Sequence, residues 1–288
     1  MKTNDTIRLN YFNQGADALE ALGLQERGYV CPICRLLFDH AQLRNGDLTI
    51  EDVPPKSVGG KALLLTCRTC NNSAGHLYEN HLKLREDVFR QAQGLMGLSE
   101  GVIGHFQQTI GDTKINVDVV RSSGSVSIRV SKKNNPRDLI SSRKALESFE
   151  KGSKFQLTTG KSYIPNKAAL ADQKTAFLLI GAKFGYTYFL RKRVNLVREQ
   201  IYSGLKTGDD TILQYIKTDA KLGNNIAIDE RAGIAFLELN SRIVGMPWIS
   251  HPESNFKSRL QDAAQQELKT KLIAWPEKFE AILDFNEN

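Results

Sequence analysis

Apolar residues recur at helical spacing through YFNQGADALEALGL, residues 11 to 24, and the run closes near Gly28, which predicts a short helix. The period then changes. CPIC sits on a tight turn between short strands, and the polar run DHAQLRNG, Asp39 to Gly46, reads as a loop or hairpin turn. LTIEDV reads as a short strand that Pro54-Pro55 must end, because proline fixes φ and restricts the residue before it. Lys56, Ser57, Gly59 and Gly60 read as a flexible loop, KALLLTC as an apolar strand, and Ser73 to Gln93 as a helix. The local order is strand, loop, strand, helix.

A glycine-rich seam at 94 to 103 marks the expected boundary between a domain over 1–100 and a second over 101–288. Beyond it, residues 114 to 121 and 125 to 132 alternate around Ser122-Ser123-Gly124 and predict a β-hairpin. A proline at its start and a glycine at its end predict a helix over 136 to 151. KAALADQKTAFLLIGAKF, 167 to 184, predicts an apolar helix stopped by Gly185 and Tyr186, and RKRVNLVREQI a helix with a basic face. Strands are expected at 232 to 239 and 241 to 248, and an amphipathic helix at 256 to 274. The fold class is α+β.

With 41% hydrophobic and 25% charged residues, the 288-residue chain has an ordinary globular composition. The start of the chain shows no signal-peptide core and no apolar run approaches a membrane span, so a cytoplasmic protein is expected. The net charge of +7 is unevenly placed. Residues 1 to 100 hold 11 Lys and Arg against 12 Asp and Glu, and residues 101 to 288 hold 28 against 20. Long-range attraction of a polyanion therefore belongs to the C-terminal part.

The four cysteines stand as Cys31-x2-Cys34 and Cys67-x2-Cys70, separated by 32 residues. Two such pairs predict one tetrahedral zinc site, which fits a reducing compartment better than disulfides do. Four sulfur ligands leave no open position, so this zinc is structural. Catalysis needs a second ion, for which Glu51 and Asp52 at the strand end and Asn71, Asn72, His76 and His81 at the helix start supply oxygen and nitrogen ligands. Such a set suits Mg²⁺ or Mn²⁺. His40, His105 and His251 lie outside this grouping.

The stretches CPIC, EDVPPKSVGG, LLLTCRTCNN and SAG resemble the HNH endonucleases, the ββα-metal nucleases, in their four-cysteine zinc form. The resemblance covers about residues 29 to 85 and implies an N-terminal zinc-stabilised ββα-metal domain followed by a mixed α/β domain that binds substrate or a partner. It makes Glu51 the carboxylate ligand of the catalytic ion and Asn71 its amide ligand; His76, read from its place near the helix start, is the candidate that assists them. The family's histidine base falls on Asp52. Asp52 itself, a histidine at 76 or 81, or loss of the reaction are the three ways to read that departure.

The resemblance therefore implies a metal-dependent endonuclease acting on DNA, in a restriction or antiphage defence setting by analogy. The alternative is a catalytically silent HNH-like zinc module that binds nucleic acid or a protein partner. Lys56, Arg68, Arg191, Lys192 and Arg193 are the candidate phosphate contacts, joined by Lys132, Lys133, Arg137 and Arg198. Tyr186, Tyr188 and Phe189 are interleaved with that basic run and are candidates for base stacking.

Overall fold

The computed structural model describes residues 3–110, 113–131, 135, 156–205, 223–239, 242–248 and 271–279. It is a mixed α+β protein with small antiparallel sheets. Two compact units divide it: residues 1–82 with 164–288, and residues 83–163. The first unit is discontinuous in sequence, and the glycine-rich stretch 94 to 103 lies inside the second.

The first unit opens with α1 (Thr3–Ala21), which buries Phe12, Ala16 and Leu19 at i, i+4, i+7 spacing. It begins earlier than the apolar spacing predicts, because Arg8 in its polar first turns donates to the Leu43 carbonyl. Gly15 is set against the Tyr29 ring, where a Cβ would come within 2.4 Å. β1 (Tyr29–Val30) and β2 (Leu37–Phe38) pair antiparallel on either side of the first cysteine turn, as the sequence predicts. Asp39 to Gly46 is not a hairpin turn but holds a helix, α2 (His40–Asn45). A capping box between Asp39 and Gln42 starts it, and Gly46 at φ 79° ends it, which stabilises so short a helix.

β3 (Leu48–Val53) and β4 (Lys61–Cys67) pair antiparallel, with a register shift between Glu51 and Asp52. The connecting loop is ordered by a 3₁₀ turn over Lys56–Val58. Gly60 packs on the Pro54 carbonyl so closely that a Cβ would lie 1.4 Å from its oxygen. α3 (Arg68–Ala74) starts directly after Cys67 and runs through a wide turn (Gly75–Glu79) into α4 (Asn80–Leu95). This helix begins before Ser73 because its cap is a sulfur: Cys67 Sγ accepts from the Cys70 amide.

β5 (Gly101–Ile110), β6 (Thr113–Ser122), β7 (Ser125–Val130) and β8 (Gln156–Thr158) form the sheet of the second unit, in the order β7-β6-β5-β8. The predicted hairpin is β6–β7. Ser123 and Gly124 turn it with φ of 51° and 77°, the left-handed pair that suits strand twist. Ile115, Val117 and Val119 alternate onto the buried face beside Ile103 and Phe106. The helix predicted over 136 to 151 lies outside the described residues, as do Lys132, Lys133, Arg137 and His251.

Returning to the first unit, α5 (Pro165–Phe184) is buried on every side from Ala168 to Ala182. Gly185 at φ 65° turns the chain into α6 (Tyr186–Phe189), whose Phe189 ring fills the space that a Cβ on Gly181 would need. Tyr186, Tyr188 and Phe189 are all buried, so they build the core and are not open for base stacking. A 3₁₀ turn (Lys192–Val194) leads into α7 (Asn195–Ser203). β9 (Asn225–Asp229), β10 (Ile234–Leu239), β11 (Arg242–Pro247) and β12 (Lys271–Ala274) form an antiparallel sheet in the order β11-β10-β9-β12. Of the amphipathic helix expected over 256 to 274, residues 256–270 lie outside the described residues, and 271 to 274 are a strand. Their backbone pairs with the edge of β9, from Lys271 opposite Ile228 to Ala274 opposite Asn225, and that pairing overrides the weak local pattern.

Candidate metal centre and the acidic end of strand β3

All four cysteine sulfurs lie within 4.8 Å of one another, and Cys31, Cys67 and Cys70 are buried. The Cys34 and Cys67 sulfurs are 3.7 Å apart. Zinc–sulfur bonds of about 2.3 Å at tetrahedral angles give sulfur–sulfur edges of about 3.8 Å, so the cluster has the size of a ZnS₄ site. Backbone amides support the sulfurs: Cys67 N donates to Cys31 Sγ at 3.4 Å, and Cys70 N to Cys67 Sγ at 3.4 Å. These four residues could hold a zinc ion. The ion would join the β1–β2 turn to the head of α3 and supply folding energy.

Two tyrosines tie the same region to its surroundings. The Tyr29 hydroxyl donates to the Leu65 carbonyl at 2.8 Å and accepts from the Leu65 amide at 3.2 Å. Tyr186, on α6, does the same for Val30, donating at 2.7 Å and accepting at 3.1 Å. Each phenol satisfies backbone groups of a strand that belongs to a two-stranded sheet and so has a neighbouring strand on one edge only.

Glu51 is 3% exposed, and each of its carboxylate oxygens has a donor. Lys174 Nζ, from α5, donates to Glu51 Oε1 at 2.7 Å and to Glu79 Oε1 at 2.5 Å. Thr66 Oγ1 donates to Glu51 Oε2 at 2.7 Å. Lys174 is itself 2% exposed. Burial pulls its ammonium toward neutrality, but Glu51 and then Glu79 outweigh that pull, and its pKa ends above the ordinary lysine value. Burial pushes the Glu79 carboxyl up, Lys174 draws it back, and Glu51 adds to the push. One cation thus serves two carboxylates, Glu51 buried and Glu79 half-buried.

Asp52 lies past the register shift, half-buried. Burial raises its pKa, Lys56 lowers it and Glu51 raises it further. Asn71 turns its amide to β3: Nδ2 donates to Thr49 Oγ1 at 3.0 Å and reaches the Ile50 carbonyl at 3.5 Å. This residue therefore clamps the helix head to the strand. His76 is exposed on the wide turn. His81 Nδ1 accepts from the Ile164 amide at 3.1 Å, and burial followed by Lys167 lowers its pKa, so it acts as a neutral acceptor. Among the described residues, the cysteines form the only group of three or more Cys, His, Asp or Glu ligands close enough to share an ion.

Lys56, Arg68, Arg191 and Lys192 are exposed. Arg68 donates to the Asn45 carbonyl at 3.3 Å, and Arg193 to the Trp248 carbonyl at 3.0 Å. Lys174, Thr66 and Glu79 are the site residues that sequence reading passes over. A signal for the first was present: the polar stretch Asp172-Gln173-Lys174-Thr175 interrupts a helix read as core, and a lysine buried there needs an anionic partner. Comparison with family models, with curated proteins and with solved structures gives no match.

Proposed function

We propose that this chain is a zinc-framed, HNH-like ββα module that binds nucleic acid without cleaving it. The observation that carries the reading is the pair of bonds from Lys174 to Glu51 and Glu79. An ammonium neutralises a carboxylate as a metal ion does, but it has no coordination positions with which to polarise a phosphate or activate water. Glu51, the ligand on which the HNH resemblance places the catalytic ion, is thereby committed to a residue of the chain's own core. Asp52 at the histidine position points the same way, since a carboxylate is a weak base near neutrality. The exposed Arg191, Lys192, Lys56 and Arg68 support a polyanionic partner.

A second reading, the metal-dependent DNA endonuclease, is favoured by one observation. The strand, loop, strand, helix order is present, with Asn71 clamping the helix head to β3, the strand that carries the half-buried Asp52. Hydrolysis would then be centred on Asp52 with Mg²⁺ or Mn²⁺, and a restriction or antiphage role would follow by analogy.

Zinc-loaded protein incubated with supercoiled plasmid and with a labelled duplex separates the two. Retention of the duplex that weakens as salt rises, with the plasmid intact in Mg²⁺ and Mn²⁺, is the expected result. Metal-dependent nicking that disappears in Glu51→Ala or Asp52→Ala would replace the binding module with the nuclease.

A further inference from the structure

Arg35 and Arg198 come together on one neutral atom. Arg35 Nη2 donates to Asn195 Oδ1 at 2.7 Å, and Arg198 Nη1 donates to the same oxygen at 2.9 Å. The two arginines arrive from different parts of the first unit. Arg35 follows the first cysteine pair and is held at φ 63°, a left-handed conformation that directs the chain out of the zinc turn. Arg198 lies in the first turns of α7 and is 8% exposed.

Two adjacent guanidiniums repel, and among the described residues neither has a carboxylate at ion-pair distance. Their other acceptor is the Leu190 carbonyl, 3.3 Å from Arg35. Arg35 Nε is buried without a hydrogen-bond partner. Among the described residues Glu199 is the one acid that acts on both, and it is exposed and makes no ion pair with either. Burial and then Arg35 hold Arg198 down at about 10, and Glu199 offsets part of that.

The backbone before α7 adds no acid: Lys192 and Arg193 stand there, the first turn of the helix carries no acidic residue, and the Asn195 amide donates to the Lys192 carbonyl of the preceding 3₁₀ turn. The positive charge of the two arginines is therefore met only by neutral oxygens among the described residues. We propose that Arg35 and Arg198 form a binding site for a phosphoryl oxyanion. Arginine suits this ligand because its planar fork meets two phosphate oxygens at once. The oxyanion can be a nucleic-acid phosphodiester, which rests on the nucleic-acid reading above, or a free phosphate, which does not.

The test uses the full-length, zinc-loaded protein, with Arg35→Gln and Arg198→Gln. Removing either charge relieves the repulsion, so both variants are expected to fold and keep their zinc. Thermal melting in millimolar inorganic phosphate, against chloride of equal ionic strength, should raise the wild-type midpoint and leave both variants unmoved. Duplex binding should weaken roughly tenfold in each variant, with the salt dependence reduced by about one phosphate contact. A phosphate response without a change in duplex binding supports the site and moves its ligand to free phosphate. Equal melting shifts in all three proteins, together with unchanged duplex binding, overturn the proposal.

Discussion

Lys174 Nζ stands 2.7 Å from Glu51 Oε1, and the two side chains join α5 to the end of β3 across a sequence separation of 123 residues. Both residues are almost wholly buried, so the bond acts with little screening by solvent. Removing one partner leaves the other charged in the core. Lys174→Met and Glu51→Gln should each destabilise the fold by about 3–5 kcal/mol. The double variant should lose clearly less than the two losses added together, as coupled neighbours do. Urea denaturation of the four proteins measures the coupling.

The pH dependence has two parts of the same sign, in separate pH ranges. Lys174 has a raised folded pKa, so its stabilisation is fully present below the unfolded lysine value of about 10.4 and is lost as pH rises through the folded value. Glu79 is also raised, chiefly by burial, so its contribution is present below about pH 4.3 and lost as pH rises through its folded value. Relative to Glu79→Gln, wild type should therefore lose stability as pH climbs above about 4.3. Urea midpoints between acid and neutral pH, compared for the two proteins, give the answer.

Zinc should be found at one ion per chain. Cys31→Ser and Cys70→Ser should abolish it and unfold the first unit, because the cluster joins the β1–β2 turn to α3. Metal analysis with circular dichroism checks both statements.

Tyr29→Phe and Tyr186→Phe each leave a buried N–H and C=O without partners, at Leu65 and Val30. A loss of about 1–3 kcal/mol per variant is expected. Denaturation midpoints measure it, and zinc content should stay at one.

Local features were the legible part of this fold. The paired cysteines, the Pro54-Pro55 stop, the Ser123-Gly124 turn and the alternation in β6 each act within a few residues. What escaped reading depends on distant groups. Glu51 looks like a metal ligand until α5 delivers Lys174, and α3 starts at Arg68 because a cysteine sulfur caps it. β12 was hidden for the same reason, since its partner β9 lies far back in the chain. Arg35, which follows the first cysteine pair, gains meaning only from the distant Asn195 and Arg198.

The central claim is that the Lys174 ammonium is the resident cation of Glu51. It is tested most directly by counting Mn²⁺ bound to zinc-loaded protein in the presence of a short duplex, using electron paramagnetic resonance of the free ion. Wild type and Glu51→Gln should bind the same number, equal to that of the duplex alone. One additional Mn²⁺ on wild type that is missing from Glu51→Gln would contradict the claim.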